Sequence, residues 1–188
     1  MKMILCCNSC YKEDVIKNWF KKKLEIDIEI EKIDIINESL PRQPIGEDVK
    51  LICLKKINDV KDKYYNNTIN FILSIENFLE IMEDKIKYRL CISVYKNNEY
   101  ITEMNEGVNL DIEILNNYSK FLLIIKDLKN SYINTSKKYI FNGCEEKLVE
   151  IINRYYPDLP KYNSIKKLKN SKYNNKDQIE FLLDKLFI

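Results

Sequence analysis

Histidine is absent from all 188 residues of this chain. Its absence removes Ser-His-Asp and Cys-His nucleophile pairs and every histidine-containing metal site. Chemistry must then rest on carboxylates, Lys, Arg, Cys or hydroxyls, and carboxylates with lysines suit a hard cation such as Mg²⁺ holding phosphate. No apolar run approaches the ~20 residues that span a bilayer. The apolar start, Met1 to Cys7, gives way at Asn8 and Ser9, too soon for a signal peptide. Charge of one sign is also missing: 31 basic and 29 acidic residues leave a net +2, no footprint for nucleic acid or an anionic membrane. Six cysteines (6, 7, 10, 53, 91 and 144) sit mostly in apolar patterns, as in a reduced, cytoplasmic protein. Cys6, Cys7 and Cys10 lack the fourth ligand and second Cys-x-x-Cys of a zinc knuckle.

Turn residues are scarce too, with three glycines and four prolines. Two of those prolines and one glycine fall within Pro41-Arg42-Gln43-Pro44-Ile45-Gly46. A chain that concentrates them so fixes an unusual backbone path there, and the path runs into Glu47, Asp48 and a helical pattern. Heavy Ile, Lys, Asn and Tyr usage has the look of a coding bias, so runs of Lys and Asn carry little weight.

What is present reads as one α/β domain over residues 1–188, with a mixed sheet and flanking helices. Residues 2–7 read as a buried strand and 13–24 as a helix with Val15, Ile16, Trp19 and Phe20 inward. Residues 25–35 alternate with a phase slip that suggests a bulge. Residues 47–62 form a helix with the stripe Val49, Ile52, Cys53, Ile57 and Val60. The apolar run 69–75 suits a central strand buried on both faces. A hairpin joins 88–95 to 99–104 at Asn97-Asn98. Further helices are expected over 111–128, 145–156 and 175–186, the last with Ile179, Leu182, Leu183 and Leu186 inward, and a short strand over 138–141.

Four constellations could carry chemistry. Asn8, Ser9 and Lys12 lie between the first strand and helix, where free backbone N–H groups and a lysine make an anion site; taken alone, an N-cap beside a solvated lysine is the simpler explanation of them. Glu38 precedes the prolines, and Glu47 and Asp48 follow them, either as a site or as a solvated helix start. Glu76 stands directly after the buried run, where ligands gather outside strand ends, as a metal ligand or general base or as a surface cap. Lys161, Lys166, Lys167, Lys169 and Lys172, with Tyr162 and Tyr173 among them, make a solvated face or hold a phosphate tail. RNA binding by that segment ranks last.

Taken in order, these pieces resemble the inosine/xanthosine triphosphatase family, a relative of the Maf-like and inosine triphosphate pyrophosphatase folds. The family's first strand ends in a T-x-N-x-x-K loop, where Cys7-Asn8-Ser9-Cys10-Tyr11-Lys12 stands here; the lysine matches and Ser9 takes the asparagine position. The family's Glu-Ser-Gly-Val-Pro-x-Gln-Pro-Phe-Gly-x-Glu loop is similar to Glu38-Ser39-Leu40-Pro41-Arg42-Gln43-Pro44-Ile45-Gly46-Glu47-Asp48, which is one residue shorter. Lys56 stands for the arginine of the family's next helix. Ser74-Ile75-Glu76-Asn77-Phe78 keeps the Ile-Glu of G-I-E-x-G and loses both glycines. Leu90 to Tyr95 looks like the family's hairpin strand. Ser171-Lys172, Gln178 and Phe187 fall at the spacing of the C-terminal motif, without its tyrosine and proline. The match is fair over residues 1–104 and weak beyond.

The resemblance implies two lobes around a cleft and Mg²⁺- or Mn²⁺-dependent hydrolysis of ITP and XTP to the diphosphate and phosphate, by a homodimer. It would place Glu38 and Glu76 on the metal, with Glu76 also catalytic. Asn8, Ser9, Lys12, Gln43, Glu47, Lys56 and Lys172 would lie on the purine nucleoside triphosphate. The lost glycines point to the alternative, a diverged relative that binds nucleotide, or serves as a scaffold, without turnover. Phe78 is the sharpest departure, since a phenylalanine in place of glycine is expected to plug the cleft.

Overall fold

The computed structural model describes residues 1–35, 38–66, 68–83, 85–110, 118–135, 141–144, 147–157 and 175–188. Its elements are β1 (Lys2–Leu5), α1 (Cys10–Leu24), β2 (Glu29–Lys32), β3 (Gln43–Pro44), a 3₁₀ turn (Gly46–Asp48), α2 (Val49–Tyr64), β4 (Phe71–Ile81), β5 (Ile86–Lys96), β6 (Glu99–Met104), β7 (Val108–Asn109), α3 (Tyr118–Thr135), β8 (Gly143–Cys144), α4 (Leu148–Tyr155) and α5 (Asn175–Phe187).

The main sheet is mixed. Its order is β2-β1-β4-β5-β6, with β7 also pairing β5. β1 runs parallel to β2 and to β4, and the β4–β5–β6 meander is antiparallel. The strand alternation sorts side chains to two faces. Phe71, Leu73 and Ile75 of β4 join Met3 and Leu5 against Val15, Ile16, Trp19 and Phe20 of α1 and the four inward residues of α5. Ile72 and Ile4 meet Ile57 and Val60 of α2 on the other face. The β4–β5 hairpin then continues past the end of β1. There Leu79, Ile86 and Tyr88 pack with Phe121, Ile124, Ile125 and Leu128 of α3 and Ile151 and Ile152 of α4. One face of the sheet is thus covered by α1 and α5 at its parallel end and by α3 and α4 at its hairpin end.

Several boundaries differ from the expectations. α1 starts at Cys10 because Ser9 caps it, its Oγ accepting from the Lys12 backbone N–H at 3.2 Å. β2 is only four residues, with Glu29 and Glu31 exposed on the sheet edge. β4 does not end at Ile75; it continues through Glu76 to Ile81, paired throughout with β5. Of the expected strand over 138–141, residues 138–140 lie outside the described residues; the strand present is β8, two residues further on. Residues 111–117 of the expected helix also lie outside them.

Candidate functional site

The extension of β4 past β1 creates the site. β1 pairs with β4 only as far as Leu5 opposite Leu73. The next backbone to meet that edge is Ile45, bridged in parallel to Leu79. Between them residues 74–78, about 16 Å of strand, have no strand paired to that edge among the described residues, a notch in the sheet where Ser74, Ile75 and Phe78 are buried and Glu76 and Asn77 are partly exposed. One end of the notch is the turn after β1 and the N-terminus of α1. The other is the Pro/Gly loop.

That loop is held from several sides. Gln43 and Pro44 pair antiparallel with Cys144 and Gly143. The Ile45 N–H donates to the Asn142 carbonyl at 3.1 Å, while the Asn142 N–H donates to Asp48 Oδ2 at 3.0 Å. Arg42 reaches Glu150 at 2.7 Å. Leu40, Pro41, Gln43 and Pro44 are buried, so the turn residues set a packed wall. Asp48 and Asn142 are the wall's fasteners, which no periodicity in the sequence signals.

Lys12 and Lys56 enter the notch from opposite faces of the sheet. Lys12 Nζ, from α1, donates to the Ile75 carbonyl at 2.7 Å. Lys56 Nζ, from α2, donates to Glu76 Oε1 at 2.5 Å; the two side chains are 18% and 16% exposed. Burial alone would lower the Lys56 pKa, and the adjacent Glu76 carboxylate more than offsets this, so the ammonium titrates above its ordinary range. The thiol of Cys6, against the Lys56 carbonyl at 3.8 Å, is pushed by burial up to about 12. Burial likewise holds Cys53 well above the usual thiol range. These two thiols stay protonated at neutral pH and are poor nucleophiles. At the floor, Asn77 Oδ1 is buried with no hydrogen-bond partner among the described residues.

The candidates therefore divide. Lys12, Lys56 and Glu76 converge on adjacent positions of β4. Ser9 serves as the α1 cap and Asn8 is exposed beside it. Gln43 is buried in the loop wall, with Nε2 3.5 Å from the Pro44 carbonyl. Glu38 is exposed in the turn before Leu40. Glu47 is exposed and pairs with Lys50 at 3.5 Å. Lys172 and the rest of the lysine run lie outside the described residues. Glu76 is corrected from a strand-end to a mid-strand carboxylate, reached because β1 stops three residues earlier. Phe78 does not plug the notch; it is fully buried with Val49, Cys53 and Cys91 between α2 and the sheet. The ion pair of Lys56 with Glu76 has no sequence signal, since the two residues stand twenty positions apart on a helix and a strand.

Among the described residues, no group of three or more Cys, Asp or Glu side chains is arranged to hold a metal ion. Mg²⁺ needs no such cage. It is commonly held by one or two carboxylates with water and substrate phosphates, and Glu76 fits that pattern. Among the described residues, no helix is long and apolar enough to cross a membrane.

No protein-family model matches the chain, and no curated protein matches it. Among solved structures it is similar to protein VC0702 from Vibrio cholerae, with a TM-score of 0.62 and 11% identity over 97% of this chain and 90% of that one. At that identity the likeness carries the fold alone. The chain is a mixed α/β protein with helices flanking a mixed sheet.

Proposed function

We propose that the notch binds a purine nucleoside triphosphate and hydrolyses it, with ITP and XTP as substrates and the diphosphate and phosphate as products. The observation that carries this reading is the convergence of Lys12 and Lys56 on Ile75 and Glu76 at an open strand edge. Two ammonium groups against one carboxylate leave a positive excess beside the α1 N-terminus, which suits a polyphosphate. The sequence resemblance supplies the substrate class and the Maf-like assignment of the fold, and a homodimer comes from it alone.

In this reading the turn from Asn8 and Lys12 bind phosphate oxygens, and Lys56 neutralises charge on the tail. Glu76 holds Mg²⁺ or Mn²⁺, which when bound offsets charge on the phosphates. Glu76 also orients the attacking water and accepts its proton. The burial of Phe78 weakens the case for a blocked cleft. The alternative of nucleotide binding without turnover is favoured by one observation, the engagement of Glu76 by Lys56.

The deciding experiment is a panel of ITP, XTP and the four standard nucleoside triphosphates with Mg²⁺, assayed for phosphate and pyrophosphate. Glu76→Gln should stay folded and lose turnover of ITP. Wild-type rates from that variant would remove Glu76 from the mechanism, and no release from any nucleotide by the wild type would leave the binding-only alternative.

A further inference from the structure

The carboxylate that a metal ion would need is not available in the resting site. Glu76 Oε1 accepts from Lys56 Nζ at 2.5 Å, and both side chains are more than four-fifths buried. A largely buried carboxylate attracts any cation strongly, and here the cation present is the protein's own. Lys56 sits on α2, three residues beyond Cys53, whose buried side chain fixes that stretch of helix against Phe78 and Cys91. The ammonium is therefore delivered to Glu76 by a packed helix rather than by a surface side chain that samples many positions. Lys12 on the opposite face is held to a neutral carbonyl, so a polyphosphate meets one ammonium tied to a charge and one that is not.

We infer that Lys56 holds the place of a divalent cation at Glu76, so that this site takes its metal only together with a nucleotide's phosphates. The inference rests on the nucleotide reading above and narrows it: the ligand is the metal–nucleotide complex, and free metal ion is refused. When the complex arrives, Lys56 transfers its hydrogen bond from Glu76 Oε1 to a phosphate oxygen, and the carboxylate turns to the cation. The carboxylate exchanges a monovalent cation for a divalent one and the ammonium exchanges a carboxylate for a phosphate, the extra positive charge being met by the phosphates that arrive with the metal. Such an exchange keeps the largely buried carboxylate compensated at every stage.

The test is a titration with Mn²⁺ alone, without nucleotide, read by loss of the free-ion paramagnetic resonance signal. Lys56→Met should bind Mn²⁺ at least about tenfold more tightly than the wild type, because removing the resident cation bares the carboxylate. Lys56→Arg keeps the cation and should behave as the wild type. Adding Glu76→Gln to Lys56→Met should abolish the gain. Wild type that binds Mn²⁺ alone as tightly as Lys56→Met, or a gain that survives Glu76→Gln, overturns the inference. If Lys56→Met fails to fold, wild type and Glu76→Gln still decide the matter when Mn²⁺ is titrated with and without a non-hydrolysable nucleoside triphosphate: tight Mn²⁺ binding that wild type shows only with the nucleotide and that Glu76→Gln lacks supports it, and either a wild-type Mn²⁺ site without nucleotide that is lost with Glu76 or equal binding by the two proteins with nucleotide overturns it. Nucleotide turnover by the wild type without the tenfold gain removes this inference and leaves the nucleotide reading. The gain without turnover of any nucleotide supports the placeholder and removes the triphosphatase.

Discussion

The ammonium of Lys12 donates to the carbonyl of Ile75 at 2.7 Å, one residue before Glu76 and two beyond the last pairing of β1 with β4. A lysine thus satisfies a strand-edge acceptor that a longer β1 would have covered. A buried carbonyl left unpaired costs about 1–3 kcal/mol, but water can reach a notch. Lys12→Met should therefore lower the melting temperature by only about 2–4 °C. Its main effect should be on ITP, raising KM about tenfold with a smaller change in kcat, as expected for a group that binds phosphate in ground and transition state alike. A fall in stability with unchanged KM would make Lys12 a purely structural edge cover.

The pair of Lys56 with Glu76 predicts a pH dependence whose sign is fixed. The folded-state pKa of Lys56 is raised above its ordinary 10.5 because Glu76 outweighs burial. A raised lysine contributes stability that is fully present below the unfolded pKa and is lost as pH rises through the folded one. Breaking a fully buried pair costs about 3–5 kcal/mol, and this partly exposed pair should fall near 2 kcal/mol. Urea unfolding of wild type and Glu76→Gln should show that gap constant from pH 7 to 9. Above pH 10.5 the gap should shrink. A gap that does not change with pH would mean that the pair adds nothing to stability. Comparing the two proteins also cancels the alkaline titrations that Glu76 does not touch, while Cys6 and Cys53, which Glu76 helps to hold up, do not cancel.

Phe78 gives a prediction that separates the two functional alternatives. It stands where the resembled family has glycine, yet its ring is buried against Val49, Cys53 and Cys91, with the Arg89 guanidinium 5.2 Å from its centroid. Phe78→Gly should leave a core cavity and cost about 4 kcal/mol or more, without creating or increasing turnover of ITP. Increased turnover by a stably folded Phe78→Gly would mean that the ring does obstruct the nucleotide.

Local patterns were legible and pairings between distant segments were not. The stripe Val49, Ile52, Cys53, Ile57 and Val60 is buried as its spacing requires, and so is that of α5. Asn97 and Asn98 turn the β5–β6 hairpin at φ 52° and 66°, the left-handed geometry for which asparagine is a good residue. By contrast, the length of β4 is set by β5, through pairs such as Ile81 with Ile86. Its second half carries Glu76, Asn77 and Glu80, so the apolar run stops before the strand does. β3 and β8 are two residues each, too short for any period. Lys56 and Glu76 come from different elements, and nothing in either local pattern announces that they meet.

The Pro/Gly loop is where sequence and packing meet, and two glycine substitutions test it by different physics. Gly46 has φ +70° and open space where a Cβ would stand. Gly46→Ala should cost only the backbone preference, about 1 kcal/mol, or about 2–4 °C in melting temperature. Gly143 pairs with Pro44, and a Cβ there would lie 2.3 Å and 2.4 Å from Pro41 ring carbons and 2.7 Å from the Gln43 carbonyl oxygen. A proline ring and a backbone carbonyl cannot swing aside as a flexible side chain can. Gly143→Ala should therefore cost about 2–3 kcal/mol, about 6–10 °C, and push the loop along the β4 edge. Because that loop closes the far end of the notch through Ile45 and Leu79, the same variant should weaken ITP binding, while Gly46→Ala should not. Melting curves and ITP titrations on the pair settle it. If Gly143→Ala binds ITP as the wild type does, the loop is not a wall of the binding site.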